Sequence, residues 1–315
     1  ALAAKIIGGV RDRFAAVVKL RDWVGANMTF DLGIVVAPST EILRDRRGTC
    51  VGYATLVAAL ARAAGIPSRV VIGYVYALGM FGGHAWTEVD AGGRWVPIDA
   101  AVPSAGIADA ARIGLVATSF RDGAGSLAAG GVARLFGQVD IRVLEFKVSG
   151  GTAVSVPEGE KPYRVAGDDY VNPWLGLSFR KPAAFSFSKL DSVWPDPTLL
   201  ALERRDGTTA SLSEGLPRPW SNPAGFASAA FSAAGIEAKP VEVRRLGRPA
   251  FLASAPTAAG LVVIDGPQAW TLSVKGPSAG KVLNELVAGW TLRDRPTLTL
   301  ERPAGSPPIR RGPPS

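Results

Sequence analysis

The stretch from Cys50 to Ala64 constrains the fold of this chain more than any other. It is mostly Ala, Leu and Val, holds no proline, and ends at Gly65, Ile66 and Pro67. A glycine just past the last apolar position, with proline shortly after, marks a helix stop. The spacing therefore predicts a buried helix over 50–64. Directly after it, Arg69–Tyr76 is rich in β-branched and aromatic residues and reads as a strand. Gly79, Gly82 and Gly83 read as a loop. His84–Asp90 alternates as a second strand, Ala91–Gly93 as a hairpin turn, and Arg94–Asp99 as its partner strand. A helix feeding antiparallel strands is an α+β arrangement.

Before the helix, apolar residues Ile6, Val10, Phe14, Val17, Val18 and Val24 recur at helical spacing, broken near Gly8 and Gly9. Met28–Val36 reads as extended. Residues 39–47 read as a short helix with Ser39 or Thr40 as N-cap. After Asp99, residues 100–138 are rich in Ala and Gly and give no assignment. Val139–Val148 alternates as a strand, and 149–162 is small, polar and Pro-containing, which suits a linker. The second half has a different texture, with short strands predicted at 177–180, 199–204, 241–245, 250–255, 261–265 and 269–274. Helices are predicted at 224–234 and 279–289, with a closing strand at 290–293. The domain reading is thus 1–148, a linker at 149–162, a second domain at 163–295, and a Pro/Arg-rich tail at 296–315 expected to be disordered.

At 315 residues and 47% hydrophobic, with 8 Trp and 12 Phe, the chain has ample apolar material for two cores. Its net charge is +8 and its pI near 9.9, but the basic residues are scattered. No basic stripe with interleaved aromatics stands out, so nucleic acid is not an expected partner. Weak association with anionic envelope components is the one charge-driven partner left. No apolar run is long enough to predict a membrane span. The Ala-rich start lacks a charged segment followed by an apolar one, and is read as a chain trimmed after export, with a periplasmic or extracellular setting expected. No acidic cluster has calcium-ligand spacing, so neither a metal nor a cofactor is expected.

The chain has 1 Cys and 1 His. With Asp99 they stand in the order Cys50, His84, Asp99, so only one thiol–imidazole pair can form. Each has an ordinary reading: a small core hydrophobe, a satisfied core histidine beside Trp86, and a capping carboxylate. Their joint arrangement favours chemistry. Cys50 is placed at the first turn of an apolar helix, where unpaired N–H groups favour a thiolate and can stabilise an oxyanion. Gly48 and Thr49 before it let the backbone approach a substrate. Asp99, at the end of the strand paired with that of His84, can accept from one ring nitrogen and orient the other toward sulfur.

The stretches R-R-G-T-C-V-G-Y-A-T-L (46–56), A-A-G-I-P-S-R-V-V-I-G-Y (63–74), G-G-H-A-W-T-E-V (82–89) and R-W-V-P-I-D (94–99) resemble the transglutaminase-like core. The resemblance covers about residues 10–145 and implies the papain-like arrangement of that superfamily, a Cys-bearing helix packed on an antiparallel sheet. It implies that Cys50 is the nucleophile, His84 the general base and Asp99 the residue that orients it. Two positions depart from the pattern: Ala100 and Ala101 follow Asp99 where Pro or Thr is common, and Val51 and Gly52 stand where many bacterial members have an acidic residue. The second oxyanion donor is not identified by sequence, Trp23 and Asn27 being the candidates. Arg69 is expected to pair with Glu88, and Trp86 and Trp95 to pack the sheet. More loosely, P-W-L-G-L-S-F-R-K-P (173–182), G-R-P-A-F (247–251) and the W-T-L-S-V, helix, G-W-T-L-R ending resemble PsbP-like domains, implying an α/β/α sandwich with an antiparallel sheet.

The function this implies is a cysteine acyltransferase acting on carboxamide or peptide groups of a protein or peptide substrate through a thioester. Two alternatives stand beside it. One is a cysteine peptidase or amidase on the same triad, in which water always resolves the thioester. The other is a non-catalytic scaffold or binding protein that keeps the fold.

Overall fold

The computed structural model describes residues 1–33, 36–77, 80–102, 112–120, 130–132, 134–135, 138–139, 141–147, 151–158, 163–188, 198–217, 222–266 and 268–293. The chain forms two compact units, the first built on Ala1–Asp140 and the second on Ile141–Pro217 and Ser221–Leu298. The residues read from sequence as linker and tail include 159–162 and 296–315, which lie outside the described residues.

In the first unit, α1 (Leu2–Ile7) stops at Gly8 in a positive-φ conformation, and α2 (Arg13–Asn27) restarts with Asp12 accepting from the Ala15 N–H. A two-residue strand β1 (Thr29–Phe30) leads through α3 (Ser39–Asp45) to β2 (Arg47–Gly48), which pairs with β1 in parallel. The helix is shorter than 39–47 because Arg46 turns left-handed at φ 53. Neither Ser39 nor Thr40 caps it: Pro38 is the N-cap, and Ser39 is already helical.

The long apolar helix is α4 (Cys50–Ala63). Its end is a Schellman motif, in which Gly65 N–H donates to Arg62 O and Ile66 N–H to Ala61 O, both at 2.9 Å. Gly65 takes φ 76, a conformation that favours glycine, and Pro67 then prevents continuation. The Arg62 guanidinium donates to Ser68 O and the Ser68 hydroxyl to Ala58 O, tying the helix end to the next strand.

The sheet of this unit contains β3 (Ser68–Ala77), β4 (Met80–Asp90), β5 (Trp95–Ile98) and β6 (Arg112–Thr118), in the order β5-β4-β3-β6, all antiparallel. Ala54 and Ala58 of α4 pack on Val70, Ile72 and Ala85 of the sheet. A second cluster, including Phe14, Val17, Leu20, Tyr53, Leu56 and Ile98, fills the space among α1, α2, α4 and β5. One expectation fails here, and Gly79 of the same predicted loop lies outside the described residues. Gly82 and Gly83 are not a loop but lie within β4, opposite Val75 and Tyr74. Glycine keeps both its N–H and its C=O for the ladder, so the pairing runs on through both positions. The unassigned stretch 100–138 supplies the edge strand β6.

The second unit begins with a small hairpin, β7 (Glu145–Lys147) and β8 (Ala153–Ser155). Strand structure at 139–148 is thus confined to 145–147 among the described residues, and β8 falls inside the stretch read as linker. A seven-stranded antiparallel sheet follows: β12 (Phe185–Ser188), β13 (Thr198–Arg204), β14 (Thr209–Gly215), β15 (Val241–Arg245), β16 (Arg248–Ala255), β17 (Ala258–Asp265) and β18 (Gln268–Lys275), in the order β12-β13-β14-β18-β17-β16-β15. Helix α5 (Pro223–Ala233), capped by Asn222 with proline in its first turn, packs Ala227 and Phe231 against Phe251, Ala253 and Val262 on one face. Helix α6 (Ala279–Ala288) packs Val282, Leu283 and Leu286 with Ala250, Leu261 and Val263 on the other. A four-stranded sheet, β9 (Arg164–Ala166), β10 (Asp169–Asn172), β11 (Leu177–Arg180) and β19 (Trp290–Leu292), shares the α6 core. Burial runs unbroken through the middle of β17, whose successive side chains turn to opposite faces, so one sheet serves two helix layers. The architecture is α+β in both units, with the second an α/β/α sandwich.

Candidate active site

The segment ahead of α4 is held at several points. Phe30 pairs with Gly48 in the β1–β2 ladder. The fully buried Tyr53 donates its hydroxyl to Met28 O at 2.9 Å, fixing the end of α2 to the first turn of α4. A Cβ on Gly48 would touch the Gly52 backbone at 3.4 Å, so the chain enters the helix close against it. Thr49 has extended backbone, and its side chain does not cap the helix. Cys50 is the first residue of α4 and is half-buried. Its own N–H is therefore among the first-turn donors with no partner within the helix.

His84 lies within β4 rather than at its start, because pairing continues through Gly83 and Gly82. Asp99 follows directly on β5. The hairpin β4–β5 brings the two together: His84 Nε2 and Asp99 Oδ2 are 2.7 Å apart, and both side chains are almost completely buried. With Nε2 committed to Asp99, Nδ1 is the ring nitrogen left for the Cys50 thiol, which acts electrostatically on the imidazole. Burial by itself disfavours the imidazolium. The Asp99 charge and hydrogen bond, with the influence of Cys50, outweigh it and raise the His84 pKa to about 9.

Asp99 is held by four donors. Oδ1 accepts from the N–H groups of Ala101 and Val102, both at 2.9 Å. Oδ2 accepts from His84 and from Arg112 Nη2, the latter at 2.9 Å. Burial alone would raise its pKa; the His84 and Arg112 cations and the backbone donors outweigh this and hold the carboxyl well below the usual carboxylate range. Arg112, on β6, is a residue that sequence reasoning missed. The β-branched run at 112–118 is a strand signal, but nothing local tells an arginine there from a surface one.

The Arg69–Glu88 pair forms, with Nε to Oε2 at 2.7 Å, and the Arg69 guanidinium lies 4.2 Å from the centre of the Trp95 ring. Trp86 is buried and stacks on His84 at 6.3 Å between ring centres, whereas Trp95 is 44% exposed and covers Arg69 instead of packing the core. Asn27 Nδ2 donates to Trp23 O at 2.8 Å within the last turn of α2, and Trp23 lies under Arg46. Asn27 is thus engaged within its own helix, and the Trp23 ring face is covered by Arg46. Among the described residues no cluster of three or more His, Cys, Asp or Glu could hold a metal ion. No described helix is long and apolar enough to cross a membrane.

Residues 1–100 match the family model of the transglutaminase-like superfamily. Cys50, His84 and Asp99 fall inside the matched residues and Arg112 outside them. No curated protein matches the chain. Among solved structures, that of a candidate cysteine protease from Cytophaga hutchinsonii is 27% identical over 38% of this chain and 40% of that one, with a TM-score of 0.34. A TGase structure is 22% identical over 31% and 30% of the two chains, with a TM-score of 0.25. The PsbP (CyanoP) structure from the cyanobacterium Synechocystis is 8% identical over 40% of this chain and 91% of that one, with a TM-score of 0.29. The chain thus spans less than half the length of the first two.

Proposed function

We propose that the first unit is a cysteine-dependent acyltransferase of transglutaminase-like type that works on carboxamide or peptide carbonyls through a thioester. The observation that supports this best is the convergence of three elements on one imidazole: the start of α4 brings Cys50, β4 carries His84, and the end of β5 brings Asp99. A protonated imidazole beside sulfur is the arrangement that favours a thiolate nucleophile.

The Cys50 thiolate attacks the carbonyl carbon, and the electron pair of the C=O bond moves onto oxygen. The Cys50 N–H, at the positive end of the helix, is placed to donate to that oxyanion. His84 gives its Nδ1 proton to the departing nitrogen, the C–N bond breaks, and ammonia or an amine leaves a thioester. A primary amine or water then attacks the thioester. Neutral His84 accepts the proton, the C–S bond breaks, and the thiolate–imidazolium pair is restored. Asp99 stays ionised throughout and keeps Nε2 engaged.

Alkylation by iodoacetamide tests the site directly, since the chain has 1 Cys. At mildly acidic pH, wild-type Cys50 should alkylate quickly and the His84→Ala variant about tenfold more slowly or worse, as expected on losing the thiolate's partner. Equal rates would refute the reading. Ammonia release from a glutamine-containing peptide, with and without a primary amine, followed by mass spectrometry for isopeptide or cleaved product, then assigns the acceptor.

A further inference from the structure

Asp99 Oδ2, the oxygen that holds His84, also takes the Arg112 guanidinium. Arg112 is 4% exposed in its side chain, and the same Nη2 donates to Val102 O at 3.1 Å, on the turn whose N–H groups fill Oδ1. The strand that delivers it is displaced by a bulge: the β3–β6 register shifts between Ile72 and Gly73. There the Ile113 carbonyl oxygen sits 1.9 Å from where a Gly73 Cβ would be. The extra residue of the bulge is Leu115, between Val116 opposite Ile72 and Gly114 opposite Gly73; the approaching carbonyl belongs to Ile113, the chain neighbour of Arg112, so this contact sets the backbone beside Arg112.

We propose that Arg112 is a positioning residue for the His84–Asp99 pair, clamping and neutralising the carboxylate that orients the imidazole, and that the Gly73–Ile113 approach aims it there. This rests on the acyl-transfer reading above and deepens it. With Arg112 balancing Asp99, the buried cluster of Cys50, His84, Asp99 and Arg112 is neutral both as thiol with imidazole and as thiolate with imidazolium. It is also neutral with an oxyanion beside the imidazolium, and as a thioester beside neutral imidazole. Without Arg112, each of these stages carries one uncompensated negative charge at the buried Asp99 carboxylate, and the oxyanion forms near it. Arg112 also weakens the hold of Asp99 on the imidazolium proton, so that His84 can release it to the leaving nitrogen. The groups facing His84 are Cys50 from α4, Asp99 from the end of β5, and Arg112 from β6 through Asp99; β3 presents Gly73 and β4 the Trp86 ring.

His84 is the 1 histidine of the chain, so protein labelled with 13C-histidine gives a single Cε1–H signal that needs no assignment. In Arg112→Met its titration midpoint should move up by about one pH unit, the usual scale for losing a nearby like charge. In Arg112→Lys, which keeps the charge, it should stay near the wild-type value. Where ammonia release is measurable, Arg112→Met should lower kcat about tenfold with KM little changed, and Arg112→Lys should restore part of it. If Arg112→Met does not fold, Arg112→Gln, which keeps a donor without charge, is read the same way. An unmoved midpoint in the folded neutral variant, with only a lower melting temperature, overturns the proposal. The titration does not depend on Cys50 reactivity: an inert wild-type Cys50 would remove the acyl-transfer reading while leaving the Arg112–His84 coupling to be read on its own.

Discussion

The Thr87 hydroxyl donates to the Ala54 carbonyl oxygen at 2.8 Å, joining β4 to α4 through a buried contact. Thr87 lies three residues beyond His84 on β4, and Ala54 one helical turn beyond Cys50, so this bond pins together the two elements that carry the imidazole and the thiol. Thr87→Val keeps the shape and removes the donor. It should cost about 1 kcal/mol, the usual net value of a buried neutral hydrogen bond, measured by urea unfolding. It should also slow iodoacetamide alkylation of Cys50. A variant with unchanged stability and unchanged alkylation would show that the bond does not set the spacing.

Gly73 is the β3 partner of His84 and leaves room for the Ile113 carbonyl. A methyl group there meets backbone, not the flexible end of a side chain, so β6 must move. Gly73→Ala should lose about 2–3 kcal/mol or more, as expected for overpacking against a rigid neighbour. Because the moving strand carries Arg112, the His84 titration midpoint should rise with it. Melting-temperature and histidine NMR measurements on the same sample check both halves, and a stable variant with native titration would contradict the close approach.

Asp99→Asn changes one atom and one charge at a carboxylate with four donors around it. An amide offers one acceptor oxygen, so one side of the group must turn an N–H toward donors. Arg112 is then buried without its counter-charge. Breaking a buried ion pair from one side typically costs about 3–5 kcal/mol, and the His84 pKa should drop because its largest favourable partner is gone. Urea unfolding and the Cε1–H titration should move together; a stable Asp99→Asn with a native titration would remove Asp99 from the site.

Much of this was readable from residues because the signals are local. The Gly65, Ile66 and Pro67 stop, the apolar run of α4 and the alternation of β4 are written in adjacent positions, and they place Cys50 and His84 on their helix and strand and Asp99 one residue past its strand. What escaped the sequence depends on non-local neighbours. Gly82 and Gly83 look like a loop until Val75 and Tyr74 are seen across the ladder. β14 alternates Ala210, Leu212 and Glu214 inward against Thr209, Ser211 and Ser213, too weakly apolar to announce a strand, and is held by β13 and β18 on either side. Arg112 has meaning only once β6 lies beside β3, a pairing that no feature near residue 112 predicts. Ser39 and Thr40 suit an N-cap by type, yet the chain enters α3 one residue earlier, at Pro38.

The paired ionisations predict how stability varies with pH. The His84 pKa is raised from its ordinary 6.5 to about 9, so the stability it contributes is fully present below 6.5 and drains as pH rises through about 9. The Asp99 pKa is depressed, so its contribution is present above its ordinary 3.8 and drains as pH falls below that value. Between these limits the imidazolium–carboxylate pair holds. His84→Gln removes the titrating group but keeps a donor for Asp99. Its deficit relative to wild type in urea unfolding should be largest near pH 6, roughly, and shrink steadily toward about pH 10, where wild-type His84 is neutral as well. A deficit that is flat from about pH 6 to about pH 10 would show that His84 is not held protonated in the folded protein, and the thiolate–imidazolium pair would lose its physical basis.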